Sequence, residues 1–428
     1  MGRVKVVALL ILFITALNST GLASSNSFLI HHKEIRRFTV SQTEGLIEHL
    51  PVIISDNSDF SQLGFPGIGT YEHPYIIEGL SIVNNDRCIA IANTDSHFRI
   101  QNCDLLGTAM DGVIRLENTT NGIIEDCCIE GGDLGIYMDH CASIDILNNA
   151  IAGAIGAGIC VLNSDYDITM SDNRVFNSQT GIYMDQADSC IIARNRVYHN
   201  IFGIFLSYGS QNQINQNSIG WNIGDDGSGV VIERNAYDGG SDNNWNDNSW
   251  TDFRSYETWY PISGPALAQD NNPTGLYDIR APIITVSGSS NVVQGNSSAV
   301  LKWTFVETFP TSFRMYQNGV ISEEGYLLSD VITTPLGLLS AGQYNFTLLI
   351  QDCVGYVESL QYHISVVSTP DLDDPFLLSM IICMGIVASI IVILPLDYRR
   401  RKRKYLKTDE VENEMEEEKE FDISELLE

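Results

Sequence analysis

The chain is short of positive charge. Its 428 residues carry 24 Lys and Arg against 54 Asp and Glu, a formal net charge of −30. Residues 25–375 hold most of that excess, with 42 acidic and 14 basic side chains, net −28. Such a surface repels nucleic acid and other polyanions over most of its area, which excludes nucleic acid as a partner. It also makes a polyuronate a poorer ligand than a neutral or amino sugar. Helical periodicity is missing as well: no run of ten residues between 75 and 253 places apolar side chains at i, i+3 and i+4. The nine cysteines form no C-x-x-C pair, which argues against a structural zinc site. Long apolar runs are few, and no cysteine suited to lipidation follows the first of them.

What is present is a repeat. GIYMDH at Gly135, GICVLN at Gly158, GIYMDQ at Gly181 and GIFLSY at Gly203 recur at intervals of 23, 23 and 22 residues. A second half-motif places Cys127, Asn149, Asn173, Asn195 and Asn217 at intervals of 22, 24, 22 and 22. Fixed periods in this range mark solenoids. Short Ile- and Val-rich runs broken by Gly, Asn, Asp and Ser read as strands and tight turns. Three strands and three turns fill 22 to 24 residues, which predicts a parallel β-helix with coils about 4.8 Å apart. Ile136, Ile159, Ile182 and Ile204 then form one interior column, and Met138, Val161, Met184 and Leu206 another. The Asn series falls at a turn, where stacked amides bond one another and satisfy bent backbone.

These repeats, with the lead-in GFPGIGTYEHPYIIEGLSI (Gly64 to Ile82) and the closing NNWNDNSWTDF (Asn243 to Phe253), resemble the right-handed parallel β-helix family with NosD-like repeats. The resemblance covers roughly residues 60–262. It implies an all-β chain of secreted or surface type and leaves the activity open, since one scaffold hosts many chemistries. It also raises copper. Copper sites need converging Met, His or Cys, whereas Met138 and Met184 belong to the interior columns and His73, His97, His140 and His199 are scattered, so the copper role is not carried over.

Alternation along the strands puts Tyr137, Cys160, Tyr183 and Phe205 on an outer face, with Asp139, Leu162, Asp185 and Ser207 beside them. His140, Asn163, Gln186 and Tyr208 follow one residue later. Arg115 and Glu117 join the stripe from VIRLEN. Aromatic rings flanked by carboxylates suit a sugar, so Tyr137, Tyr183, Phe205, Arg115 and Glu117 are the expected ligand-binding residues. Asp139 and Asp185, two coils apart, stand roughly 9 to 10 Å from one another, a spacing for inverting rather than retaining hydrolysis, with His140 assisting. Matched repeats also generate matched surfaces without chemistry, and that reading stays beside the catalytic one. No cofactor is expected. Oxygen ligands suited to Ca²⁺ occur at Asp111, Asp133, Asp225 and Asp226, but Asp beside Gly is ordinary turn chemistry. Cys103 and Cys127 fall on equivalent positions of successive coils, and either a disulfide or two buried thiols fits them.

The remaining organisation reads in order. Residues 1–24 are a signal peptide, with Arg3 and Lys5 before an apolar run too short to span a bilayer. Residues 25–74 are a cap over the first coil, 75–262 the β-helix, and 263–280 a linker. Trp245, Trp250, Trp259 and Tyr260 are expected to close the last coil. Residues 281–368 show alternating segments at sandwich spacing, and GQYNFTLLIQDCVG at Gly342 resembles a strand of Ig-like and PKD-like surface domains. The resemblance implies a tyrosine corner at Tyr344 and a turn at Asp352-x-x-Gly355, in a seven-strand spacer. Residues 376–396 contain no charge and are long enough to cross a membrane. RRRKRK at Arg399 marks the cytoplasmic side, leaving the N-terminal bulk outside. Residues 397–428 form a basic, then acidic, tail that suits a basic cytoplasmic partner. The fold class expected is all-β, a parallel β-helix plus a β-sandwich, with one transmembrane helix. The function expected is a membrane-anchored surface module that binds an extracellular polysaccharide or other surface polymer without turnover. A polysaccharide lyase, hydrolase or epimerase, or a structural or adhesive protein, are the alternatives.

Overall fold

The computed structural model describes residues 46–108, 112–225 and 231–368. Residues 1–24, expected as a signal peptide, the segment 376–396 and the tail 397–428 lie outside the described residues, as do Asp111 and Asp226. Among the described residues, no helix is long and apolar enough to cross a membrane.

Three parallel sheets run the length of a coil. The first has ten strands, from Ile47–Glu48 through Cys128–Gly131, Arg174–Phe176 and Arg196–Tyr198 to Thr274–Gly275. The second includes Leu134–Asp139, Ala157–Asp165, Thr180–Asp188 and Phe202–Leu206. The third includes Ala142–Leu147, Ile168–Ser171, Ile191–Ala193 and Gln213–Asn215. The register is the one the repeat demands. Ile136 pairs with Ile159, Ile159 with Ile182 and Ile182 with Ile204, and the Met138, Val161, Met184, Leu206 column runs beside it. All eight side chains are buried in one core. The repeat glycine has a steric reason: a Cβ on Gly135, Gly158, Gly181 or Gly203 would come within 2.2 to 2.9 Å of a carbonyl oxygen on the next coil.

The Asn column at the turn into the first sheet is continuous. Asn149, Asn173, Asn195 and Asn217 each donate their backbone N–H and their amide Nδ2 to the Oδ1 one coil further on, at 2.9 to 3.1 Å. Each Nδ2 also donates to a backbone carbonyl. The donors therefore all point one way, and the series must end on a pure acceptor. It does: Asn217 donates to Asn248, and Asn248 to Oδ2 of buried Asp270. Two shorter series occupy the other corners. Ser178, Asn200, Asn222 and Asn235 end on Asp252, while Cys190, Asn212 and Asn243 end on Asp238.

The same three carboxylates anchor the C-terminal plug. Trp250 Nε1 donates to Asp270 (3.0 Å), Trp245 Nε1 to Asp238 (2.9 Å) and the Tyr260 hydroxyl to Asp252 (3.0 Å). Trp250 stacks on Tyr260 at 4.0 Å. Trp259, expected in the plug, is instead 49% exposed. At the other end a short helix, α1 (Asn57–Gln62), lays buried Phe60 on Tyr75 and Phe98 of the third sheet. The parallel coil thus runs beyond 75–262 at both ends, from Ile47 to Gly275, because end coils are plugged by other residues and lack the repeat. A hairpin, Ile223–Asp225 with Val231–Glu233, interrupts the last turns.

Cys103 and Cys127 stand on successive coils as free, buried thiols that share a hydrogen bond, and burial pushes the Cys127 thiol up. All eight described cysteines are buried.

Residues from Ile283 form a sandwich of three strands against five, eight strands rather than seven; the additional edge strand is Asn291–Val293. Trp303 is its central side chain, with Nε1 donating to Thr334 Oγ1. Tyr344 donates its hydroxyl to Ser340 O at 3.0 Å, and Asp352 closes the turn to Gly355. The sandwich does not stand clear of the coil as a spacer. It lies on the outer face of the first sheet, where Cys128, Ala150, Ala152, Phe176 and Tyr198 are buried beneath Phe309, Leu328 and Cys353. Tyr198 donates to Pro310 O (2.7 Å) and Arg174 to Leu328 O (2.7 Å).

Candidate functional site

The sandwich covers the middle rungs of the first sheet, and the expected site residues stand on the second sheet and its corner toward the third. Tyr137 pairs in register with Arg115 and Cys160, Cys160 with Tyr183, Tyr183 with Phe205, and Phe205 with Tyr237, a ring that alternation alone did not reach. The stripe exists, and it packs on itself. The Arg115 guanidinium lies 4.7 Å over the Tyr137 ring, Tyr183 stacks on Phe205, and Phe205 stacks on Tyr237 at 4.3 Å. Tyr137 keeps only 6% exposure. Ring faces are spent on neighbouring rungs, so the stripe offers edges and hydroxyls outward. Burial, with Asp139 or Asp185 nearby, pushes the Tyr137 and Tyr183 phenols up, so both remain donors. Arg115 is paired with Glu117.

The next row holds Glu117, Asp139, Leu162 and Asp185. Asp139 and Asp185 are two rungs apart, as the repeat requires, and Leu162, nearly buried, sits between them. Their environments differ. Asp139 Oδ1 accepts from His140 Nδ1 (2.7 Å) and Asn163 Nδ2 (2.9 Å). Asp185 bonds Ser207, but its buried Oδ1 has no partner, and burial pushes its carboxyl up.

One residue further on, alternation fails for a physical reason. Asn118, His140, Asn163 and Gln186 have φ of 49°, 55°, 44° and 53°, the left-handed region, because the chain turns a corner there. Asp139 and His140 therefore both face outward, and Cys141 turns in. Side chains from four successive rungs, His140, Asn163, Gln186 and Tyr208, line a groove of about 450 Å³ with Asp188 and Gly209. Of these only His140 was expected in the site. The signal was legible: a polar residue five after each repeat glycine. The groove runs across the strands, so an elongated ligand meets an equivalent polar position about every 4.8 Å.

Copper does not fit these donors. Met138 and Met184 are buried in the core with Val161 between them. Among the described residues, the one convergent group of metal-binding type is three carboxylates, which are hard oxygen ligands. Of the acidic turn residues, the Asp133 backbone carbonyl accepts from Gly156 N, ordinary turn bonding.

Residues 77–257 match the family model described as periplasmic copper-binding protein (NosD). No curated protein matches the chain. Among solved structures, CopC from Methylosinus trichosporium OB3b is similar at 16% identity over 22% of this chain and 97% of that one, with a TM-score of 0.17. The enzymatically active domain of bacteriophage CBA120 tailspike protein 2 is similar at 12% identity over 75% of this chain, with a TM-score of 0.24. The chain spans 64% of that tailspike domain. Neither superposition is close enough to carry an argument. The family match and the coil together make residues 77–257 a parallel β-helix of NosD-like repeats.

Proposed function

We propose that the chain displays its β-helix outside a cell membrane, held by residues 376–396, and that the helix binds an extracellular polymer without turning it over. One observation carries this reading: the corner groove takes side chains from four successive rungs. Repeated polar groups along a track suit a chain-like ligand, here a neutral or amino polysaccharide given the acidic surroundings of Asp139, Asp185 and Asp188. His140, Asn163, Gln186 and Tyr208 supply hydrogen bonds, and Tyr183 and Phe205 a flanking edge. The match to a periplasmic family supports an outside location for the bulk. The sandwich, read as an Ig-like domain, braces the back of the coil, and the acidic tail meets a basic partner inside. A glycan array probed with the full chain tests this. Binding that falls at least tenfold in a His140→Ala, Tyr208→Ala double variant is expected, and no ligand at high protein concentration refutes it and favours a structural or adhesive role.

A second reading rests on Asp185, whose raised carboxyl and unpartnered oxygen set it apart from Asp139, two rungs away and held by His140 and Asn163. Here Asp185 donates the proton in polysaccharide cleavage. Reducing-end release from bound polymers, lost in both Asp139→Asn and Asp185→Asn, would establish it; equal release by wild type and both variants would remove it.

A further inference from the structure

The chain leaving the coil passes Asp278, which lies against two sandwich carboxylates. Glu307 is in the loop between Val300–Val306 and Pro310–Gln317, and Asp352 ends Gly342–Asp352. One ligand oxygen from each lies within 4.8 Å of the others. Asp352 is 1% exposed; its Oδ1 accepts from the backbone N–H of Val354 (3.0 Å) and Tyr356 (2.8 Å), while its buried Oδ2 has no partner. Glu307 is held likewise, with Oε1 accepting from Thr308 and Phe309 N–H at 2.6 and 2.9 Å. Asp278 Oδ1 faces the Arg280 N–H at 3.4 Å, and the Cys353 thiol points at its Oδ2 from 3.9 Å. Backbone N–H groups thus orient all three carboxylates, and Asp352 keeps one buried oxygen without a partner. Burial above all, and the charge of Asp278, push the Glu307 and Asp352 carboxyls up. Three carboxylates this close, with Asp352 buried and the other two half-buried, call for a counter-charge.

We propose that Asp278, Glu307 and Asp352 hold a Ca²⁺ ion that clamps the segment leaving the coil onto the sandwich. Three carboxylates are a hard-oxygen set of the kind Ca²⁺ takes at about 2.3–2.6 Å, and separations within 4.8 Å let one ion reach all three. Water completes the shell on the half-exposed side of Asp278 and Glu307. The ion would stiffen the docking of Phe309 and Cys353 on Tyr198 and Trp221, so that external calcium sets the rigidity of the junction.

Calorimetric titration of the chelator-treated full chain in detergent with CaCl₂ tests this. Expected are one ion per chain with Kd of about 10⁻⁴ to 10⁻³ M, the range of extracellular calcium modules, weaker heat with MgCl₂, and loss of binding in Asp278→Asn and in Glu307→Gln. Thermal unfolding separates a metal site from mere repulsion. In chelator Asp278→Asn should melt above wild type, because a like charge is gone; in excess Ca²⁺ it should melt below. At ten times Kd, bound ion multiplies the wild-type folding constant about elevenfold. Absence of binding by wild type, binding untouched in both variants, or the same order of melting with and without Ca²⁺ would each overturn the proposal.

Discussion

Asn195 is where the polarity of the amide series can be tested most sharply. Its side chain is fully buried, accepts two bonds from Asn173 through Oδ1, and donates through Nδ2 to Met170 O and Asn217 Oδ1. Asn195→Ala takes the acceptor from the Asn173 N–H and from one hydrogen of the Asn173 amide, and the side-chain donor from the Met170 carbonyl. At roughly 1–3 kcal/mol for each buried group left unsatisfied, the loss is about 3 kcal/mol or more. That is a large share of a typical total of about 5–15 kcal/mol. Asn195→Asp is the more telling variant. It keeps the shape and the acceptor for Asn173, but it turns an oxygen toward Met170 O and Asn217 Oδ1 and buries a charge. Burial would raise that carboxyl, so stability should recover as pH falls and the acid regains a donor proton. Asp270, at the end of the same column, receives only donors, from Asn248, Trp250 and Asn272. Asp270→Asn should cost only about 1–3 kcal/mol, from one amide set against the Asn272 N–H. Denaturant midpoints at pH 7 and pH 4.5, with hydrogen exchange on the neighbouring coils, measure all three. Asn195→Asp matching wild type at pH 7, or Asn195→Ala losing less than about 1 kcal/mol, would refute the ladder as a stabilising device.

Other perturbations follow from the same geometry. Gly203→Ala places a Cβ 2.2 Å from Asn235 O, and should cost about 1–3 kcal/mol of overpacking, seen as a lower denaturant midpoint. Tyr198→Phe removes the buried bond to Pro310 O, and about 1–2 kcal/mol of junction stability, read as faster proteolysis between the coil and the sandwich. Burial holds the folded pKa of Asp185 above that of an ordinary carboxylate, so its ionisation removes stability as pH rises through the folded value. Asp185→Asn should therefore raise the neutral-pH melting temperature and flatten its fall from acid to neutral pH. The eight described thiols should resist alkylation until the chain is unfolded.

The repeat was enough to predict the coil, its interior columns and one amide series, because in-register stacking turns sequence period directly into spatial neighbours. Ile136 over Ile159 over Ile182 needs no information beyond spacing. The other two series were hidden: one begins on Ser178, and the other steps 31 residues from Asn212 to Asn243 across an inserted hairpin. The N-terminal plug was hidden too, since Phe60 is a one-off solution with no period, whereas the aromatic cluster with Trp245, Trp250 and Tyr260 marked the C-terminal one. The aromatic stripe was legible as residues and not as a surface, because only packing shows that the rings turn their faces to each other. The groove lay one residue past the alternation rule, where left-handed backbone at His140, Asn163 and Gln186 turns a second side chain outward. Composition and period determined the class of fold and the order of its parts. Folding the sandwich onto the first sheet decided which face stays open, and it alone brought Asp278, Glu307 and Asp352 together, because contacts between segments with no common repeat leave no trace in spacing.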